Sequence, residues 1–189
     1  MPFSCLDNAF AWIESHTNFE RLPMEKRGYR LERMKKVLTA LENPETHGHT
    51  IHVAGSKGKG STAVMIAHQL HAAGYSVAVY TSPHVCHYRE RFIGLGNTLD
   101  DSLLLQGIER LYALLSRQEG LLGGTFPTTF ELLTALFFWA AREADCDYLV
   151  VEAGIGGRLD ATSVVSPLAS AVTSVALEHT DVLGDDLET

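Results

Sequence analysis

Val53-Ala54-Gly55-Ser56-Lys57-Gly58-Lys59-Gly60-Ser61-Thr62 sets three glycines and two lysines between an apolar run and a helix-forming one. That order predicts a β-strand entering a glycine-rich loop, with a helix starting at the loop's end. Glycines let the backbone approach oxygen atoms closely, and successive N–H groups at a helix N-terminus make a nest for anions. Gly55, Ser56, Lys57, Gly58, Lys59, Gly60, Ser61 and Thr62 are therefore candidate nucleotide-binding residues. Lys59 would reach the β- and γ-phosphates, and a hydroxyl from Ser61 or Thr62 could face Mg²⁺. The spacing departs from the standard Walker form: Gly55 stands four residues before Lys59, and Gly60 stands where Ser or Thr usually follows the lysine. A strand–turn–helix whose glycines merely bend the chain is the competing reading.

Outward from this loop the chain alternates strands and helices. Residues 51–54 read as a strand and 61–73 as a helix that Gly74 ends. A second buried strand is expected at 77–80, then a loop, a helix at 102–117 and a Gly-rich turn at 120–125. The segment 130–144 is apolar nearly all round, so its helix must be covered on several sides. Residues 148–151 and 169–175 read as two further strands. Helices of this length between strands predict βαβ units, a mostly parallel sheet and right-handed crossovers, an α/β fold of the P-loop kind. Upstream, 6–17 and 29–42 read as helices, the second with Leu31, Met34, Val37, Leu38 and Leu41 at helical spacing. A polar linker at 43–49 follows. The expected organisation is a helical segment over 1–49 leading into an ATP-binding α/β domain over 50–189.

The chain's 189 residues, 46% hydrophobic and 20% charged, can bury a core, and the net charge of −8 argues against a general nucleic-acid binder. Cys5, Cys86 and Cys146 are scattered and form no CxxC pair, which suits a reducing, cytoplasmic setting rather than a disulfide framework. The N-terminus lacks the unbroken apolar run of a signal peptide, and no stretch is long and apolar enough to span a bilayer. Neither nucleic acid nor membrane is an expected partner.

Open parallel sheets bind ligands beyond the carboxyl ends of their strands. Glu152 ends the strand of Asp147-Tyr148-Leu149-Val150-Val151-Glu152, where a carboxylate can hold Mg²⁺ directly or through water. A polar residue closing a strand is the plainer alternative. Ala153-Gly154-Ile155-Gly156-Gly157-Arg158-Leu159-Asp160 follows it as a second glycine loop. Ser82-Pro83-His84 and Glu178-His179 follow other strands and face the same edge. His84, Cys86 and His87 superficially resemble a zinc cluster, but no second group with ligand spacing accompanies them. Thr128-x-x-Glu131 forms a capping box at the start of the apolar helix, an adequate structural reason for Glu131.

Together these segments resemble the folylpolyglutamate synthase/dihydrofolate synthase family of the Mur ligase superfamily. Ala54-Gly55-Ser56-Lys57-Gly58-Lys59-Gly60-Ser61 looks like its AGTNGKGS loop, and Tyr80-Thr81-Ser82-Pro83-His84 with Arg89-Glu90-Arg91 like its TSPH…ER segment. Thr128-Thr129-Phe130-Glu131 resembles its FE-containing pterin loop. Residues 152–162 (EAGIGGRLDAT) nearly spell its EVGLGGRLDAT motif, and Thr173-Ser174 with Glu178-His179-Thr180 resembles its TS…DHT stretch. The resemblance implies an ATP-dependent ligase joining L-glutamate to folate or dihydropteroate through an acyl phosphate. It implies that Lys59, Glu152 and His179 serve catalysis, and that Ser61, Ser82, Glu152 and His179 hold Mg²⁺. It also implies that Thr129, Phe130, Glu131, Leu159, Asp160 and Ala161 border the pteridine or its linker. Ser56-Lys57 in place of Thr-Asn, Ser163 in place of Asn and Glu178 in place of Asp are departures.

The family's modified lysine, a further metal ligand, has no counterpart, since no lysine follows Lys59. Nor do these 189 residues include the second, Rossmann-like domain that the resemblance leads one to expect of the whole enzyme. The chain is therefore expected to be an incomplete part of a longer, monomeric enzyme. As it stands it should be inactive in ligation and prone to self-association at an unpaired sheet edge. A small-molecule kinase of the P-loop kind and a non-catalytic nucleotide-binding module are the competing functions.

Overall fold

A computed structural model describes residues 2–16, 31–96, 99–117 and 126–177. Two helices, α1 (Leu6–Glu14) and α2 (Leu31–Ala40), precede strand β1 (His49–Ala54). Helix α3 (Lys59–Ala72), strands β2 (Val77–Tyr80) and β3 (Phe92–Leu95), and helices α4 (Asp101–Arg117) and α5 (Thr129–Glu143) follow. Strands β4 (Tyr148–Glu152) and β5 (Ala169–Val172) complete the described fold. The five strands form one sheet in the order β3-β2-β4-β1-β5. β2, β4, β1 and β5 run parallel, and β3 lies antiparallel to β2, pairing Val77 with Leu95 and Tyr80 with Phe92.

Side chains alternate across the sheet with the period of two that a pleated strand imposes. Ala78, Tyr80, Leu149 and Val151 face the larger core, made with α1, α2, α4 and α5. Val53, Val77, Val79 and Val150 face the smaller one, closed by Ala63 and Ala67 of α3. Helix α5 buries Leu132, Leu133, Ala135, Leu136, Phe137, Phe138, Ala140 and Ala141, as its all-round apolar sequence requires.

Four details differ from the sequence expectation. The loop expected after β2 contains the antiparallel edge strand β3, Phe92-Ile93-Gly94-Leu95, whose internal Gly94 weakens the strand signal. β5 stops at Val172 rather than 175: its last partner is Ala54, and β1 leaves the sheet there, so the ladder has nothing left to pair with. The polar stretch 43–49 holds a turn of 3-10 helix over Pro44–Thr46 with Pro44 buried, and β1 already begins at His49. Helix α3 starts two residues earlier than expected, which places Gly60 and Ser61 in its first turn.

Candidate active site

Because β1, β2, β4 and β5 are parallel, Gly55, Ser82, Glu152 and Thr173 all leave the sheet at one edge. The phosphate loop is built there. Gly55 has φ +130°, and a Cβ on it would collide with the Thr173 side chain. Gly58 caps α3 in the left-handed region at φ 81°, and Thr62 N–H donates to Gly58 O at 3.0 Å. The first-turn N–H groups of any helix lack intrahelical acceptors, so this end offers donors to an anion. Lys59 Nζ folds back over the loop to Ser56 O at 3.3 Å.

The loop is latched to the segment after β5. Ser56 N–H donates to Ser174 O at 2.7 Å, and Lys57 N–H to Ser174 Oγ at 3.2 Å. The Ser56 hydroxyl donates to Ala176 O and accepts from Ala176 N–H, both at 3.0 Å. The hydroxyl at position 56 is thus a two-way clip, and Lys57 and Ser61 are left exposed at the loop's surface.

Glu152 closes β4, only 4% exposed. Its Oε2 accepts Ser82 N–H at 2.9 Å and lies 3.2 Å from the point where a Cβ on Gly60 would sit. Gly60 therefore stands where a side chain would push against the carboxylate, a physical reason for the departure from the Walker spacing. Burial raises the Glu152 pKa above its ordinary value; the N–H groups of Ser82 and Gly60 and the charges of Lys59 and Arg91 pull it back in part. Such a carboxylate is poised for a cation. Among the described residues no cluster of three or more His, Cys, Asp or Glu could hold a metal. A hard dication at this edge would take its oxygens from Glu152, the Ser82 and Ser61 hydroxyls and the phosphates themselves, and this donor set fits Mg²⁺.

The 82–87 loop is shaped by Glu90, whose carboxylate accepts the N–H groups of Val85 at 2.8 Å and of Cys86 and His87 at 2.9 Å. These three bonds hold the Glu90 pKa below its usual range. Arg91, wholly buried, donates from Nε to His84 Nδ1 at 3.0 Å and lies 5.6 Å from the centroid of the Tyr88 ring. The sequence marks Arg91 only as part of the ER segment; its burial beside Glu152 is a product of the tertiary fold.

On the far side of Glu152 the start of α5 meets the second glycine loop. The Phe130 ring comes within 2.7 Å of a Cβ built on Gly154, and its centroid is 6.0 Å from that of Tyr80. Thr128 and Glu131 form the reciprocal capping box, with Thr128 N–H donating to Glu131 Oε2 at 2.7 Å. The same carboxylate receives Arg33 at 2.7 and 2.9 Å, a two-pronged pair hidden from the sequence by a separation of 98 residues. The Thr129 hydroxyl lies 3.2 Å from Ile13 O and 3.3 Å from His16 O at the end of α1. Leu159 is exposed, Ala161 is buried in the larger core, and both Asp160 oxygens are engaged inside their own loop. Of the substrate-side candidates, Phe130 and Leu159 present surface. Glu131, Thr129 and Asp160 are occupied by structural bonds. His179 and Glu178 lie outside the described residues.

No protein-family model matches the chain. A probable bifunctional folylpolyglutamate synthase/dihydropteroate synthase of Halobacterium salinarum is 47% identical over 152 residues, 80% of this chain and 18% of that protein. The dihydrofolate synthase/folylpolyglutamate synthase of Bacillus subtilis is 35% identical over 191 residues, 98% of this chain and 42% of that protein. A solved FPGS–AMPPCP–folate complex matches with a TM-score of 0.86 at 36% identity, covering 96% of this chain and 43% of that one. The chain spans less than half the length of these relatives. Over that span it belongs to the folylpolyglutamate synthase/dihydrofolate synthase family.

Proposed function

We propose that the whole protein of which this chain carries the phosphate-loop part is an ATP-dependent ligase that joins L-glutamate to folate, to dihydropteroate, or to both. One observation carries this reading: a buried carboxylate, Glu152, faces Gly60 at the start of α3, with the Phe130–Gly154 contact on its other side. A helix start offering N–H groups, a buried acid and an aromatic ring thus share one sheet edge. The relative solved with AMPPCP and folate pairs the same two ligand chemistries.

In this reaction a carboxylate oxygen of the pteroyl substrate attacks the γ-phosphorus of ATP, forming an acyl phosphate and releasing ADP. The glutamate amine then attacks the acyl carbon, loses a proton and expels phosphate, leaving the amide. Lys59 and the N–H groups of 58, 59 and 61 hold the phosphoryl oxygens in line and neutralise their charge. Glu152, Ser82 and Ser61, with His179 assigned by resemblance alone, would hold Mg²⁺, whose charge further stabilises the transferring phosphoryl group. Phe130 supplies a face for the flat pteridine ring, and Leu159 an apolar border. The remaining carbonyls and charges of the loop orient rather than react.

The test is ATP- and glutamate-dependent phosphate release by the full-length protein, with dihydropteroate and tetrahydrofolate supplied separately. Release that needs glutamate and at least one pteroyl substrate is expected. Phosphate release indifferent to both, or phosphoryl transfer to another acceptor, would show a different phosphotransferase.

A further inference from the structure

His52 stands near the middle of β1, and its ring points away from α3 because Val53, the next residue, faces α3. The ring is 9% exposed, and Nε2 lies 2.8 Å from the hydroxyl of Thr162, a fully buried residue. That hydroxyl lies 2.6 Å from Asp160 Oδ1, which also accepts Thr162 N–H at 3.0 Å. Asp160 Oδ2 accepts the N–H groups of Gly154 and Ile155, each at 3.1 Å. An ionised carboxylate only accepts, so Thr162 gives its one hydroxyl proton to Asp160 and turns a lone pair to His52. Nε2 must then carry the imidazole hydrogen. Burial pushes the His52 pKa below its ordinary value, and the charge of Asp160 offsets part of that. A neutral ring with its single proton on Nε2 satisfies every partner.

We propose that His52 is a positioning residue for the pteridine side of the site, acting through Thr162 and Asp160 on the backbone at 154–155. The proposal rests on the reading of the protein as a pteroyl-substrate ligase. Gly154 lies against Phe130 with no room for a Cβ, so a small displacement of this backbone shifts the aromatic ring that packs on it. The phosphate loop is held separately, by Ser174 and Ala176. Breaking the relay therefore acts on one substrate and spares the other.

His52→Leu, His52→Gln and Thr162→Val in the full-length protein test this through three readouts. These are KM for the pteroyl substrate, KM for ATP, and amide hydrogen exchange at Gly154 and Ile155. His52→Leu and Thr162→Val should each raise the pteroyl KM at least fivefold, leave the ATP KM within twofold, and speed exchange at both amides at least tenfold. His52→Gln, whose amide nitrogen can stand where Nε2–H stood, should restore all three to within twofold of wild type. Nitrogen-15 spectra of the wild type should show the hydrogen on Nε2. Equal changes in both KM values, unchanged exchange at 154 and 155, no rescue by glutamine, or a hydrogen on Nδ1 would each overturn the proposal. Should His52→Leu not fold, Thr162→Val and the imidazole spectrum decide. Should the full-length protein ligate no glutamate, the functional reading fails, while exchange and tautomer still decide the relay.

Discussion

At the scale of single residues, chemistry follows from what each side chain is denied. Glu152 is denied water, and Gly60 is denied a side chain so that the carboxylate can sit against the start of α3. Gly60→Ala places a methyl group 3.2 Å from Glu152 Oε2, closer than ordinary contact. The full-length protein carrying it should need severalfold more Mg²⁺ to reach half its maximal rate; a wild-type midpoint would separate Gly60 from the metal. Glu152→Gln should flatten the Mg²⁺ dependence more than it weakens nucleotide affinity. The cysteines provide a check on burial itself. Cys5 and Cys86 are exposed, whereas Cys146 is 1% exposed with its pKa raised to about 11 by burial and by Asp147 and Asp145. Two thiols should react with a maleimide in the native protein and the third only after unfolding.

At the scale of elements, the local motifs were legible in sequence and their long-range partners were not. The strand–loop–helix at 53–62, the acid closing β4 and the capping box at 128–131 are written in contiguous residues, and each is found there, with α3 starting at Lys59 rather than 61. Arg33 on Glu131, Arg91 beside Glu152 and His52 on Thr162 join residues up to 110 apart, and no periodicity reports such pairs. Edge strand β3 is not legible for a local reason: Gly94 sits inside its four residues and breaks the apolar run. The Arg33–Glu131 pair changes what Glu131 should do when mutated. Losing a cap alone costs about 1 kcal/mol. Glu131→Ala also strands a guanidinium whose side chain is 10% exposed, so the expected loss is roughly 3–5 kcal/mol. Denaturant titration of Glu131→Ala and of Arg33→Met measures both terms. A loss near 1 kcal/mol would leave the ion pair without weight in the fold.

At the scale of the whole molecule, one sheet with helices on both faces gathers four strand ends into a single polar edge, and the charges placed there set the response to pH. The folded His52 pKa lies below its unfolded value near 6.5, so its contribution is present above that pH and is lost as pH falls through the folded pKa. Glu90, lowered from 4.5, contributes above 4.5 and is lost below it. Glu152 runs the other way: its folded pKa is raised, so its cost is relieved as pH falls. The melting temperature of the wild type relative to His52→Gln should therefore fall as pH drops below about 6.5; a difference independent of pH would remove His52 from the response. The central claim is that this edge is a Mg-nucleotide site organised on Lys59. Calorimetric titration of the wild-type protein and of Lys59→Ala with Mg-ATP tests it most directly, with circular dichroism confirming equal folding. Saturable binding to the wild type, weakened at least tenfold in Lys59→Ala at an unchanged spectrum, is the predicted result. Equal binding by the two proteins, or none by the wild type, would contradict it.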